Sequence, residues 1–459
     1  MAWPILGHAL MFLGTREDHM KSLQKLGREA LKNEYGLTNL WLGSQYMAMT
    51  CDPIIAGVIP KTSFGKSDIT KIFHHLLGNG SIIAPVHIWR SRRKKLAPIF
   101  SPKILNGFIE IFVEQSNIMI NCLKSTVGED AFSIWNNMTS YTFNSICKSA
   151  LDVDINAQTQ TGHEFSTAFD EYSKLVAARI FIPWLRWDFL YKFLPIYRKL
   201  EKYRKIIHDT VNDVIRKKKI LLQDENVHTD WSIPHNNNVQ RTSFLNLLLK
   251  SSGGADKFSD DEIREELLVL MLAGTDTSAV GACFTIVMLS RNSKVQKKAY
   301  EEVREIFGDS QRPLNLEDLS KLEYIDAVIR ETLRLYPPVP LFERKNDKDV
   351  KLSSEITLPA GSCACINIWG LHRNPRYWGA DAEEFNPDRF LNGSVSPASA
   401  YMPFSYGPRG CLGYKYAMMS MKVAVTALLR HYRVLPPSDL SAEDLRKPLR
   451  LEFDIMMKD

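Results

Sequence analysis

Cys411 sits in the most chemically suggestive stretch of the chain. Phe404-x-x-Gly407-x-Arg409-x-Cys411-x-Gly413 runs straight into a helical pattern, YKYAMMSMKVAVTALL. A cysteine just ahead of a helix has free backbone N–H groups and the positive end of the helix to stabilise its thiolate. Gly407 and Gly410 permit tight turns, Phe404 offers a ring to pack beneath the sulfur, and Arg409 offers a cation for a carboxylate. Gly413 leaves room for a flat macrocycle that a Cβ would obstruct. A thiolate so placed is the ligand that pushes electron density onto haem iron and favours O–O cleavage. A lone cysteine beside a Gly/Pro turn is ordinarily a small core residue. The register of five motif positions, not the cysteine alone, carries the metal reading.

Three further groups of residues suit the same chemistry. Glu331-x-x-Arg334 stands on a predicted helix, where a spacing of three puts both side chains on one face. Ala273-Gly274-Thr275-Asp276-Thr277-Ser278 lies inside a long apolar helical pattern. There Gly274 and Thr277 would loosen the helix, and an acid beside an alcohol suits proton delivery. Trp89 and Arg93 are one helical turn apart, and an indole N–H with a guanidinium suits a carboxylate. Arg90, Arg92, Lys94 and Lys95 surround them, as a solvated helix face or as a docking patch for an acidic partner.

With the cysteine loop as its signature, the chain resembles the cytochrome P-450 superfamily over nearly its whole length, in texture the microsomal family-four clan of insect type. The resemblance implies a single domain over residues 1–459 with the mainly α, α-rich α+β fold of that superfamily, small sheets flanking a haem. It implies haem b, non-covalent apart from the Cys411–iron bond. Trp89, Arg93, Ala273, Thr277, Arg344, Phe404, Arg409 and Gly413 would line the cofactor, and Thr277 with Asp276 would also relay protons. Glu331 and Arg334, with Arg389 of Asn-Pro-Asp-Arg-Phe, would brace the cysteine loop, and His372 of His-Arg-Asn-Pro would be structural. Ala273 replaces the glutamate that esterifies haem in fatty-acid ω-hydroxylases of this clan, so no ester link is expected.

By the same resemblance the activity is monooxygenation of a lipophilic substrate by O2. Electrons would come from an NADPH-dependent flavoprotein reductase, with cytochrome b5 a second donor, at the cytosolic face of the endoplasmic reticulum. A haem-thiolate isomerase or lyase acting on peroxides is the alternative enzyme, and the acid–alcohol pair argues against it. A haem-binding sensor is the non-catalytic alternative. Substrate contacts would come from 71–83, Ile180 to Leu194, Leu270 to Ala273, Val339 to Phe342 and the region of Leu449. Aromatic residues at 181–195, Trp184 and Trp187 among them, suit a membrane interface. Microsomal members carry a membrane helix ahead of a Pro-rich hinge, and this chain starts almost at the hinge, Trp3-Pro4-Ile5-Leu6-Gly7.

Those residues must be held by a frame that is mostly helical. Apolar residues recur at helical spacing over Ile104–Leu123 and Lys199–Leu222. Ser259 followed by Asp260, Asp261 and Glu262 marks the start of a helix reaching about Ser290, long enough to cross the molecule. LEYIDAVIRETLRLY must stop at Pro337 and Pro338. Short extended runs follow: VKLSS, ITLPAG, CACINIW, VLPPSD and LRLEFDIMMKD. Asn226–Gln240 has no periodicity and reads as a loop.

The composition of the 459 residues, 45% hydrophobic and 24% charged, is that of a folded chain with a large core. The net charge of +6 is a mild excess, far from the clustered basic stripe of a nucleic-acid binder. Seven cysteines, an odd number without a CxxC pair, argue against a disulfide framework, and Cys363 and Cys365 read as strand residues.

Overall fold

The computed structural model describes residues 7–42, 45–159, 164–182, 185, 188–228, 243–250, 258–391, 393, 395–453 and 456–458. Its centre is the long helix Asp260–Arg291, opened by Ser259, whose side chain and that of Glu262 each accept the other's backbone N–H. By length and composition it is the one unbroken helix among the described residues that could cross a membrane; here it is wrapped by protein. Helix Trp135–Leu151 packs along it, and helices Glu323–Leu335 and Tyr414–His431 close the other sides. The main core gathers Phe112, Met119, Tyr141, Leu267, Met271 and Ile329, all essentially inaccessible. At about 25 cal/mol per Å2 of apolar surface removed from water, such side chains supply the dominant force holding the helices together.

A mixed four-stranded sheet lies beside this helical body. Leu37–Leu42 and Gln45–Thr50 form an antiparallel pair; Gln45–Thr50 runs parallel to Cys363–Asn367, which pairs antiparallel with Leu341–Lys345. Cys363 and Cys365 are buried strand residues, as their sequence setting suggests. The extended runs VKLSS and ITLPAG contribute the small pair Val350–Lys351 and Thr357–Leu358, and the C-terminal run the pair Glu452–Phe453 and Met457–Lys458.

Some elements differ from the sequence reading or add to it. Ile104–Leu123 is not one helix: Pro102–Asn106 ends at Gly107 and Ile109–Cys122 begins after it. Glycine carries the largest helix penalty after proline, and the chain turns there. Helix Arg16–Lys32, capped by Thr15 and Asp18, and the hairpin of Leu37–Leu42 with Gln45–Thr50 precede the region where periodicity is strong. Lys199–Leu222 is part of a longer helix, Pro195–His228, which takes in the first residues of the polar 226–240 tract. The rest of that tract, with Trp184 and Trp187, lies outside the described residues.

Candidate active site

The cysteine loop is a series of turns stitched by its own backbone. Ser405 and Gly407 take left-handed conformations, φ +61° and +73°. A Cβ on Gly407 would stand 2.8 Å from the Pro60 carbonyl oxygen, so only glycine fits this approach. Gly410 does not share that conformation; its N–H closes a turn onto the Gly407 carbonyl at 2.9 Å. Cys411 N–H donates to the Phe404 carbonyl at 2.9 Å, and helix Tyr414–His431 starts after Gly413. Phe404 is half-buried against the main core. Cys411 is the one exposed cysteine of the seven by surface area, yet its sulfur is enclosed enough for burial to raise its pKa. The Gly413 backbone and Arg93 work the other way and are outweighed. A coordinated cation deprotonates such a thiol outright.

Four cationic side chains converge beside this loop. Arg344 projects from strand Leu341–Lys345 and is 2% exposed. Its Nη1 donates to the Glu343 carbonyl at 2.9 Å, while its Nε has no partner. Arg409 donates through Nη2 to the Ala84 carbonyl, and its Nε and Nη1 are buried without partners. Its guanidinium lies 4.6 Å over the Trp89 ring, whose other contact is Phe64, stacked at 5.8 Å. Arg93, one turn from Trp89, is half-buried; burial lowers its pKa and the Cys411 charge raises it.

Lys66 completes the cluster, and sequence reading missed it. It is brought there by a bridge in which Lys345 N–H donates to the Gly65 carbonyl at 3.0 Å. Lys66 is half-buried by surface area, but its ammonium lies deep. Burial first, then Arg344 and Arg409, push its pKa down to about 7. Only the glycine before it marks this lysine in the sequence, too little to find it.

Buried cations with orphaned donors are costly unless an anion meets them. Haem b fits this set: Arg344, Arg409, Arg93 and Lys66 would suit its two propionates, and Cys411 would offer a thiolate to its iron. A Cβ on Gly413 would meet no protein atom closer than 3.7 Å, so nothing in the protein itself requires glycine there.

Thr277 and Asp276 are on the long helix as the sequence predicts, and the helix assignment runs unbroken through this point. Thr277 Oγ1 donates to the Ala273 carbonyl at 2.6 Å, and Thr275 Oγ1 to that of Met271 at 2.8 Å. Gly274 serves packing: a Cβ there would lie 3.0 Å from Ile146 Cδ1 on helix Trp135–Leu151. Asp276 lines a groove of about 1780 Å3, with Thr139, Ser140 and Ser173 on its wall. None of Cys411, Arg344 and Arg409 lines this groove.

The brace is assembled in full. Arg334 Nε and Nη2 donate to the two Glu331 oxygens at 2.7 and 2.8 Å, and both residues are inaccessible. The remaining donors reach the carbonyls of His372, Ala382 and Glu384. Arg389 approaches Glu331 at 3.4 Å and otherwise binds Asp381 and the Trp378 carbonyl. His372 bonds the Arg334 carbonyl through Nδ1 at 3.0 Å and accepts Met402 N–H at Nε2, 2.8 Å. It therefore ties the brace helix to the start of the cysteine loop. Burial pushes its pKa down to about 3, so it is neutral.

Arg92 does not belong to the basic surface patch: it is buried and paired with Glu265 and Glu266. Arg90 and Lys94 are exposed, with Arg90 over the Phe64 ring. The half-buried Lys95 lies over the ring of Phe258.

Comparison with known proteins agrees with this geometry. The family model described as Cytochrome P450 matches residues 1–455. Human cytochrome P450 4V2 is 33% identical over 468 residues, covering 100% of this chain and 86% of that protein. The mouse protein of the same name is 32% identical over 471 residues with the same coverage. Cytochrome P450 4c3 of Drosophila melanogaster is 31% identical, again over 100% of this chain and 86% of its own length. The chain belongs to the cytochrome P450 family of haem-thiolate monooxygenases.

Proposed function

We propose that residues 1–459 form one catalytic domain that oxidises a lipophilic substrate, drawing electrons from an NADPH-dependent flavoprotein reductase or cytochrome b5. The observation that carries this reading is the convergence of Arg344, Arg409, Arg93 and Lys66 beside Cys411, with Nε of Arg344 and Nε and Nη1 of Arg409 buried without partners. In that cradle Cys411 would ligate the iron, and the cations, with Trp89, would hold the propionates. When bound, haem supplies the oxygen-activating chemistry.

The chain's own part is to position substrate, exclude water and deliver protons. Thr277 is the alcohol nearest in helical register to Ala273, and Asp276 supplies it with protons. Support for that supply is the groove beside Asp276, whose wall of Thr139, Ser140 and Ser173 is suited to ordered water. The hydroxyl donates to Ala273 at rest and must turn outward to donate elsewhere. Glu331, Arg334 and Arg389 brace the cysteine loop through His372 and Met402. Ala273 carries no carboxyl group with which to esterify haem.

A membrane setting, the cytosolic face of the endoplasmic reticulum, is part of the same proposal. It is supported by helix Asp188–Phe193, where Phe189 and Phe193 are 74% and 75% exposed and touch each other edge-to-face at 5.3 Å. Exposed paired aromatics suit a lipid interface. The deciding experiment measures reductase-dependent O2 consumption against product with a panel of lipophilic compounds. Thr277→Ala is expected to keep O2 consumption while product per O2 falls by about a hundredfold, the low end for loss of a proton-transfer group. Unchanged product per O2 rejects the role given to Thr277. No turnover of any compound by the wild-type chain, with haem bound, favours a non-catalytic haem protein.

A further inference from the structure

Arg92 sits on the Trp89 helix, Val86–Leu96, but is engaged away from the cationic cluster, with the long helix. It is 4% exposed. Its Nη2 lies 2.7 Å from Glu265 and its Nη1 3.0 Å from Glu266, with Glu262 at 3.4 Å. Burial opposes the charge, but the hydrogen bond to Glu265 and the field of Glu266 outweigh it, holding the pKa above its ordinary value.

The same groups grip one loop. Glu265 accepts Asn79 N–H at 2.9 Å and Glu266 accepts Ser81 N–H at 2.9 Å. Arg92 Nη1 donates to the Asn79 carbonyl at 2.7 Å. Gly78 enters the loop at φ +51°, and a Cβ there would stand 1.9 Å from Glu265 Oε1. The far end of the loop, the Ala84 carbonyl, is held by Arg409 of the cysteine loop. Residues 78–84 are therefore strung between the long helix and the cradle. Glu266 precedes Ala273 by seven residues and Thr277 by eleven, two and three turns away on the same helix face. Ile82, in the middle of the loop, is 42% exposed.

We propose that Arg92 is a positioning residue that, through Glu265 and Glu266, fixes residues 78–84 against the Glu265–Val269 stretch of the long helix, on the face that continues to Ala273 and Thr277, and so sets how firmly a long apolar ligand is held. Arg92 would act through Glu265, Glu266 and Asn79, the groups it binds. This deepens the function proposed above and rests on it. A clamp that served only to hold the fold together would, when broken, weaken every ligand alike.

The test uses the haem-loaded chain and two nitrogen ligands read by absorbance titration: imidazole, too short to reach the loop, and 1-dodecylimidazole, whose chain must pass it. Arg92→Met is expected to weaken 1-dodecylimidazole about tenfold, the loss of one charge-assisted bond, with imidazole changed less than about twofold. Amide exchange at Asn79 and Ser81 should accelerate, and Arg92→Lys should recover part of the affinity. Should Arg92→Met not accumulate, Glu265→Gln, which keeps an acceptor for Asn79 N–H, is expected to give about a threefold selective loss. Equal weakening of both ligands overturns the proposal, as does unchanged 1-dodecylimidazole binding despite faster exchange at Asn79 and Ser81. Failure of the unsubstituted chain to bind imidazole removes the haem reading, and this proposal with it.

Discussion

Two sets of buried arginines in this molecule look alike in sequence and behave as opposites. Arg334 meets an acceptor with every arm of its guanidinium: both Glu331 oxygens and three backbone carbonyls. Arg344 and Arg409 are also enclosed, yet keep Nε, and in Arg409 also Nη1, without any protein partner. Burying a guanidinium costs several kcal/mol unless its donors are met. The first site meets that demand internally and is a brace; the second leaves it for an anion and is a binding site. An unpaired Nε alone does not mark such a site, since Arg92 and Arg389 have one too; what sets the cysteine cradle apart is the gathering of several cations, with Nη1 of Arg409 also unmet.

The largest effect should come from breaking the saturated site. Glu331→Gln removes the counter-charge and leaves Arg334 buried, an expected loss of about 3–5 kcal/mol. Denaturant unfolding or soluble yield measures it; a loss below about 1 kcal/mol would show that Arg334 does not depend on Glu331. Arg344→Met should do the reverse. Removing an under-satisfied charge should leave the haem-free chain as stable or more stable, while haem transfer to an acceptor protein speeds up by about 10–100-fold. If Arg344→Met instead destabilises the haem-free chain as much as Glu331→Gln does, the contrast between the two sites collapses.

Much of this contrast is legible in sequence on one side only. The cysteine loop, the Glu331–Arg334 pair and the start of the long helix at Ser259 are local patterns, set by neighbours within a turn or two. Lys66 and Arg92 are not. Lys66 reaches the cradle because Gly65 bridges to Lys345, and Arg92 leaves the surface because Glu265 and Glu266 lie across from it. Contacts between residues 170 or more positions apart leave no periodicity to read. Gly274 shows the converse: its loosening role is a local inference, while its packing against Ile146 of another helix could not be read from its neighbours in sequence.

The smallest effect sharpens the brace side. His372 has a folded pKa of about 3 against an ordinary 6.5, because burial disfavours its charge. Between those values the unfolded chain binds a proton that the folded chain refuses. The stability His372 contributes is therefore intact above about pH 6.5 and lost as the pH falls toward 3, by up to about 1.4 kcal/mol per unit. Comparing unfolding midpoints at pH 5 and pH 7, His372→Gln should be less stable at pH 7 but lose less on acidification. An equal acid loss in both proteins would mean that other groups carry it.

The central claim is that Cys411, in a cradle of otherwise unanswered cations, ligates haem iron through its thiolate. The most direct measurement is the carbon-monoxide difference spectrum of the reduced, haem-loaded chain beside that of Cys411→Ala. The account predicts the red-shifted band of a thiolate-ligated haem in the first and its absence in the second. That band persisting without the Cys411 sulfur, or never forming in the unsubstituted chain, would contradict it.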